Sequence, residues 1–200
     1  MSVLAVMHLP PTSTPVVIDS RLEPTAERIE ILEAFSDLPD VRRSAGKRQP
    51  MALCLALFTL AVTAGNRGFL AIGDWLACYR CDLIALFNPP KSPLPFYSTI
   101  RPALLELDYA QYSADLARFF GAESFAQGYW GVENKVHHVR DVTQGEDASP
   151  IPMHQLLQIF AVARNFVINL YRSNELSNMV QAERLCKFGL DTLKAIFRMK

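Results

Sequence analysis

The chain lacks an excess of charge of either sign. Lys and Arg together number 20, and Asp and Glu together also number 20, so the formal net charge at pH 7 is zero. Most DNA-binding domains carry a basic surplus, so any contact with nucleic acid here must depend on a local cluster of cations. Half of the 200 residues are hydrophobic and a tenth are aromatic. This content excludes a disordered tail and suffices for one compact body or two closely packed pieces.

Long apolar runs and cysteine pairs are also scarce. The most apolar run, residues 51–64, is shorter than the roughly 20 residues of a membrane-spanning helix, and the N-terminus has neither the basic segment nor the cleavage site of a signal peptide. The four cysteines include one Cys-x-x-Cys, formed by Cys78 and Cys81, without a second pair to complete a zinc site. We therefore expect a cytoplasmic protein, without a membrane segment, whose thiols are reduced and buried.

Strand-like alternation is missing, and apolar residues recur at helical spacing instead, which predicts a mainly α fold. Residues 1–24 are rich in proline and are expected to form a flexible leader. A short helix should follow, with Thr25 as a candidate N-cap. The other predicted helices cover residues 50–64, two pieces of 69–87 with a turn near Cys81, 99–107 with Ser98 as N-cap, 109–120, 154–171 and 175–198.

One cluster of cations stands out directly before the apolar helix at residues 50–64. It consists of Arg42, Arg43, Lys47 and Arg48. These side chains are the best local candidates for DNA phosphates, and Arg101, in the first turn of a capped helix, is a candidate for a phosphate or a base edge. The order of helices over residues 69–107 is like that of a helix-turn-helix. A solvated loop is an equally weighted interpretation of the cluster.

The densest chemistry lies in residues 129–147 (YWGVENKVHHVRDVTQGED). Glu133 and His137 are four residues apart and suit one face of a helix, where His138 or Asp141 would complete a transition-metal site. A solvated polar face is the favoured alternative, because the pattern lacks a complete HExxH motif. The chain's two tryptophans, at positions 75 and 130, are expected in the core rather than stacked on bases.

Two groups of segments carry a resemblance to a known family. The first comprises residues 35–40 (FSDLPD), 46–48 (GKR), the apolar helix, 68–75 (GFLAIGDW) and 97–101 (YSTIR). The second comprises residues 130–137 (WGVENKVH), 141–143 (DVT) and 145–148 (GEDA). These segments resemble the ISAs1-type (H-repeat-associated) bacterial DDE transposases. The first group is similar to the N-terminal associated domain of that family, and the second is similar to the end of its catalytic domain. The resemblance divides the chain into an associated helical domain at 25–121 and a C-terminal remnant at 122–200.

The resemblance implies DNA strand cleavage and joining with two Mg²⁺ or Mn²⁺ ions bridged by three carboxylates. Glu133 would be the third carboxylate and metal ligand, and Arg140, two helical turns further on, would hold a phosphate. The family's ribonuclease-H-like core belongs between the two groups, but only nine residues (121–129) separate Phe120 from Trp130. Its two catalytic Asp residues are therefore missing. Gln127-Gly128-Tyr129 and Pro102 also depart from arginines usual in the family.

These observations predict an internally deleted transposase that is catalytically inactive alone and binds no functional metal ion. The alternative is a non-enzymatic module that binds insertion-sequence ends or modulates a full-length transposase. The C-terminal helices would be left over from the ribonuclease-H-like core, without the sheet that they once covered. Their apolar faces must then pack on the N-terminal helices as a fused bundle or on a second copy in a homo-oligomer.

Overall fold

A computed structural model of the chain describes residues 30–42, 47–89, 94–120 and 154–199, except the side chains of 119, 120 and 154. Within those ranges the structure is helical, with no strand, which confirms the mainly α prediction. The helices are α1 (Glu30–Ala34), α2 (Met51–Thr63), α3 (Phe69–Cys78), α4 (Arg80–Phe87), α5 (Tyr97–Leu105), α6 (Tyr109–Phe120), α7 (His154–Ser173), α8 (Met179–Lys187) and α9 (Leu190–Ile196).

Helix α2 is the central element of the fold. Twelve of its 13 residues are buried, because the sequence MALCLALFTLAVT offers no polar face to solvent. Helices α1, α3, α5, α7 and α8 all pack against it. The helix predicted at residues 50–64 is thereby confirmed, and Pro50 precedes its first residue, where a missing N–H costs nothing.

The end of α2 is fixed by a left-handed glycine. Gly65 has φ of 80°, and the backbone N–H of Asn66 donates to the carbonyl of Ala61 over 3.1 Å. This arrangement satisfies carbonyls that the last turn would otherwise leave without a partner. The Glu183 side chain also occupies the position next to Gly65 where a side chain would begin. A Cβ there would lie 2.6 Å from the carboxyl carbon of Glu183. The tight turn brings α8 against the end of α2.

Two helix boundaries between residues 69 and 107 differ from the prediction. The break between α3 and α4 lies at Tyr79, two residues before the expected turn at Cys81. Helix α5 begins at Tyr97 rather than Thr99, because the carbonyl of the extended Phe96 accepts from the N–H groups of Thr99 and Ile100. Ser98 is therefore the second residue of α5, and the prediction that it is the N-cap is wrong. A helix-turn-helix geometry stays a prediction.

Helix α7 closes the core from the C-terminal side. Its buried apolar residues include Ile159, Phe160, Ala163, Phe166, Val167 and Leu170. The ring of Phe160 meets those of Phe58 in α2 and Phe69 in α3 edge-on, with centroids 5.0 and 5.5 Å apart. The Tyr171 hydroxyl donates to the carbonyl of Thr63. Of the two arrangements expected for these helices, the structure has the fused bundle, with one shared hydrophobic core.

The prediction of a single helix over residues 175–198 is wrong. The segment divides into α8, capped by the Asn178 side chain at 3.1 Å from the Gln181 nitrogen, and α9, which begins after Gly189. Glycine is a poor helix former, and the break lets Leu190, Leu193 and Ile196 all be buried. The leader at 1–24 and the Thr25 cap lie outside the described residues. None of the helices in the described part of the chain is long and apolar enough to cross a membrane.

Two of the four cysteines are buried and two are exposed, and all four are free thiols. Cys54 and Cys186 are buried, as predicted, and burial raises the pKa of each thiol to about 11. Cys78 and Cys81 are exposed, so the prediction that all the thiols are buried is wrong for these two. They lie at the junction of α3 and α4, where Tyr79 between them turns inward and donates to the carbonyl of Lys187 over 2.9 Å.

We predict that Gly65→Ala lowers the free energy of unfolding by about 1–2 kcal/mol, because alanine is strained at positive φ and its Cβ overlaps Glu183. Urea unfolding followed by circular dichroism measures the change. Gly68→Ser is the matched control, since Gly68 is extended, an added Cβ there would meet no atom within 4 Å, and the residue occupies an N-cap that favours serine. Equal stability of the wild type and Gly65→Ala would contradict the prediction.

Candidate nucleic-acid interface

The loop before α2 is closed at its base by one arginine. The guanidinium of Arg42 donates from Nε to Asp40 Oδ1 at 2.8 Å and from Nη2 to Asp40 Oδ2 at 2.7 Å. Its Nη2 also donates to the backbone carbonyl of Gln49 at 2.8 Å. Arg42 thus joins the two ends of the loop, and its Nη1 reaches Cys54 Sγ in the first turn of α2 at 3.9 Å. A bidentate pair of this kind fixes geometry as well as adding binding energy.

The position of Arg42 does not support the prediction that it contacts DNA. Only 4% of the residue is exposed, and its donors are directed to the protein. A buried guanidinium needs such partners because an unpaired charge away from water is strongly unfavourable. The side-chain hydrogen bond from Arg42 lowers the pKa of the Asp40 carboxyl, so the pair stays ionised at neutral pH. Arg42 acts here as a positioning residue for the loop.

Lys47 and Arg48 are the exposed cations of this loop in the described residues. They lie in a short 3₁₀ turn directly before Pro50 and the first turn of α2. The first turn of α2 contains no acidic residue, so the partial positive charge of the helix N-terminus adds to the charge of the two cations. This geometry suits a phosphate backbone, which is contacted by flexible exposed cations.

Arg101 lies on a different element from the loop cations. It is the fifth residue of α5, in the second turn rather than the first, because the helix begins at Tyr97. Its side chain is half-buried and takes part in an interaction within the protein. Helix α5 packs along α2, whereas the loop precedes α2. Contacts from Arg101 and the loop to one DNA molecule stay a prediction.

The remaining predicted site residues are Arg43, Glu133 and Arg140, and all three lie outside the described residues, as do His137, His138 and Asp141. Their roles stay predictions. Among the described residues no group of three or more His, Cys, Asp or Glu side chains is arranged to hold a metal ion. Trp75 is buried, as predicted, which excludes it from stacking on a base. Trp130 lies outside the described residues.

Sequence reasoning missed the partner that removes Arg42 from the surface. Asp40 precedes Arg42 by two residues, and an acid so close to one member of a basic cluster was the available signal. The hydrogen bond from Arg42 to the Gln49 carbonyl could not be found in this way. Gln49 is seven residues further along the chain, and only the folded backbone brings its carbonyl to Arg42. The cluster therefore divides into a structural arginine and solvent-facing cations.

The comparison with protein families bears on the region that carries this loop. Residues 32–120 match the family model described as DDE_Tnp_1-associated. A search among curated proteins and a search among solved structures each gave no match.

The matched region runs from within α1 to the end of α6 and includes Lys47 and Arg48. Helices α7 to α9 lie beyond it, yet they share its hydrophobic core. The match thus supports the resemblance of the first group of sequence segments to a transposase-associated domain. It suggests a function related to transposition.

We predict that Arg42→Ala lowers the free energy of unfolding by about 2 kcal/mol, since it removes charge-assisted hydrogen bonds and leaves Asp40 without its partner. Arg48→Ala, at an exposed position of the same loop, should change it by less than about 0.5 kcal/mol. Urea unfolding of both variants measures the difference. Similar effects of the two substitutions would show that Arg42 does not hold the loop.

The pH dependence of the same experiment has a definite sign. The pKa of Asp40 is lower in the folded chain than its ordinary value of 3.8, so the pair contributes stability above that value. The contribution is lost as the pH falls through the folded-state pKa. The difference in unfolding free energy between the wild type and Arg42→Ala should therefore shrink as the solution is acidified below about pH 4. A difference independent of pH would contradict the assignment.

Proposed function

We propose that this chain is an internally deleted relative of the ISAs1-type transposases that acts in transposition without cutting DNA by itself. The match of residues 32–120 to the DDE-transposase-associated family model is the observation that carries the proposal. In this proposal the chain works in the cytoplasm, where it contacts insertion-sequence ends or a full-length transposase. The C-terminal helices would descend from the ribonuclease-H-like catalytic domain of the ancestral enzyme.

The expected lack of cleavage follows from the chemistry of phosphodiester attack. Two divalent ions must be held together on the attacking and leaving oxygens, which takes several carboxylates at one point. Glu133 is proposed as the ancestral third carboxylate and Arg140 as its phosphate contact. Only residues 121–129 stand where the family has the strands that carry the first two Asp residues. A single carboxylate cannot organise the two-metal site, so neither Mg²⁺ nor Mn²⁺ is proposed to act here.

A non-enzymatic DNA-binding role is supported by the loop before α2. Lys47 and Arg48 are exposed, and Arg42 anchors both ends of the loop that presents them. Arg43, which follows Arg42 in the sequence, and Arg101 on α5 are proposed as further contacts. Because the net charge of the chain is zero, binding would come from this local cluster rather than from a general positive field. The chain would then occupy transposon ends and compete with an active enzyme.

We expect no strand cleavage when the purified chain is mixed with Mg²⁺ or Mn²⁺ and a labelled duplex carrying an ISAs1-type terminal repeat. A full-length transposase of that type serves as the positive control, and gel electrophoresis under denaturing conditions detects nicks. Glu133→Gln should leave the result unchanged. Robust cutting that Glu133→Gln abolishes would refute the proposed inactivity.

We expect the same duplex to bind with a salt-dependent affinity that falls about three- to tenfold in a Lys47→Ala, Arg48→Ala double variant. The slope of log K against log salt should become shallower by about 2, one unit for each lost phosphate contact. Fluorescence anisotropy over a salt series measures both quantities.

The matched control for this experiment is Arg184→Ala with Lys187→Ala, which removes two exposed cations from α8. It should keep the wild-type affinity and slope. Equal losses in the two double variants would indicate unspecific attraction, and no binding by the wild type would remove the DNA-binding role. A scrambled duplex of the same composition reports whether the terminal repeat is recognised.

A further inference from the structure

A cavity of about 200 Å³ opens on the surface between α3 and the start of α5. Its floor and walls are mostly apolar and include Leu70, Gly73, Ala77, Leu94, Phe96 and Tyr97. We call this feature the α3–α5 groove. The loop cations Lys47 and Arg48 do not line it, so it is a surface separate from the candidate nucleic-acid interface.

Large apolar side chains stand exposed at the groove. Leu70 is 72% exposed, Phe96 is 60% exposed and Tyr97 is 38% exposed. Isolated exposed apolar residues are ordinary on protein surfaces, but several of them around one apolar hollow are typical of a binding site. The groove therefore combines a hollow with protruding apolar side chains beside it.

The walls of the groove are held in place by the core. Ile72 and Trp75 on α3 and Ile100 on α5 are buried, so both helices are anchored on the sides away from the groove. The ring of Tyr97 lies against the α3 backbone at Gly73, where an added Cβ would be 2.8 Å from the ring atom Cδ1. This close approach depends on glycine at position 73. A preformed hollow of this kind binds without a large ordering cost.

Charge at the groove is of both signs. Asp74 on α3 and Arg80 at the start of α4 both line it, and both are exposed. Neither forms an ion pair within the described part of the chain. In a two-fold arrangement residue i of one copy faces residue j of the other, and j faces i. One acid and one base on the same surface are therefore complementary to a second copy of that surface.

We propose that the α3–α5 groove is a self-association surface that binds the same groove of a second copy of this chain. Phe96 and Leu70 of each copy fill the hollow of the other, and Asp74 of each copy pairs with the partner copy's Arg80. A second copy is favoured over another partner because the hollow, the protruding apolar groups and both charges occur together on one surface. The proposal does not require DNA binding or descent from a transposase.

Sedimentation velocity of the full chain over a concentration series tests the proposal. We expect a reversible monomer–dimer equilibrium, and Phe96→Glu should raise the dimer Kd by at least about tenfold, since it places a charge in an apolar hollow. Leu70→Ser should act in the same direction with a smaller effect. Both residues are exposed, so circular dichroism should show an unchanged fold. Phe188→Glu, directly after α8, is the matched control, because Phe188 is 79% exposed but lies outside the groove.

A charge reversal gives the more specific readout. Asp74→Arg alone and Arg80→Asp alone should each weaken the dimer, because each leaves like charges facing one another across the interface. The double variant Asp74→Arg, Arg80→Asp should recover most of the lost affinity, since the two charges are again opposite. Such a recovery is not expected from a general change of net charge or from partial unfolding.

Three results would overturn the proposal. The wild type could stay monomeric at every concentration, which would mean that another part of this chain or a different partner covers the groove. The control Phe188→Glu could weaken the dimer as much as Phe96→Glu does, which would place the contact elsewhere. The double charge reversal could also stay as weak as the single reversals. Loss of DNA binding in any variant has no bearing on these outcomes.

Discussion

The need to bury α2 on every side governs the rest of the structure. A helix with 12 of 13 residues buried cannot lie on a surface, because no side of it carries the polar groups that water would solvate. Its neighbours come from both parts of the sequence. Helices α1, α3 and α5 precede residues 121–153, and α7 and α8 follow them. The region that matches the DDE_Tnp_1-associated family model and the C-terminal helices are therefore stabilised by the same core.

Two buried threonines of α2 form hydrogen bonds or accept them through their carbonyls at specific places in this core. Thr59 donates to the carbonyl of Leu55 at 2.8 Å and shares a 2.7 Å hydrogen bond with the buried hydroxyl of Tyr112 on α6. Tyr171 on α7 donates to the carbonyl of Thr63. Burial raises the pKa of both tyrosines, so they stay neutral donors. Because an unpaired buried hydroxyl is unfavourable, these contacts select one register of α6 and α7 on α2.

The two candidate surfaces use this core in different ways. Arg42 contacts Gln49 and Cys54 in the first turn of α2, so the exposed cations Lys47 and Arg48 lie beside a fixed structure. The α3–α5 groove has rigid walls, since the buried sides of its helices are anchored in the core. If both proposals hold, the loop would contact DNA and the groove a second copy, which would suit the chain to occupy paired transposon ends.

The sequence by itself determined the elements whose signals are local. The uninterrupted apolar run of α2 and the helical spacing of Ile159, Phe160 and Ala163 predicted buried helices at the right places, and the resemblance over residues 35–101 agreed with the family match. Tertiary structure alone decided that Arg42 is buried while Lys47 is exposed, that α8 and α9 are separate, and that the C-terminal helices complete the α2 core. Glu133 and Arg140 stay predictions. Periodicity lies within one segment, whereas the burial of a charge depends on partners that only the folded chain brings together.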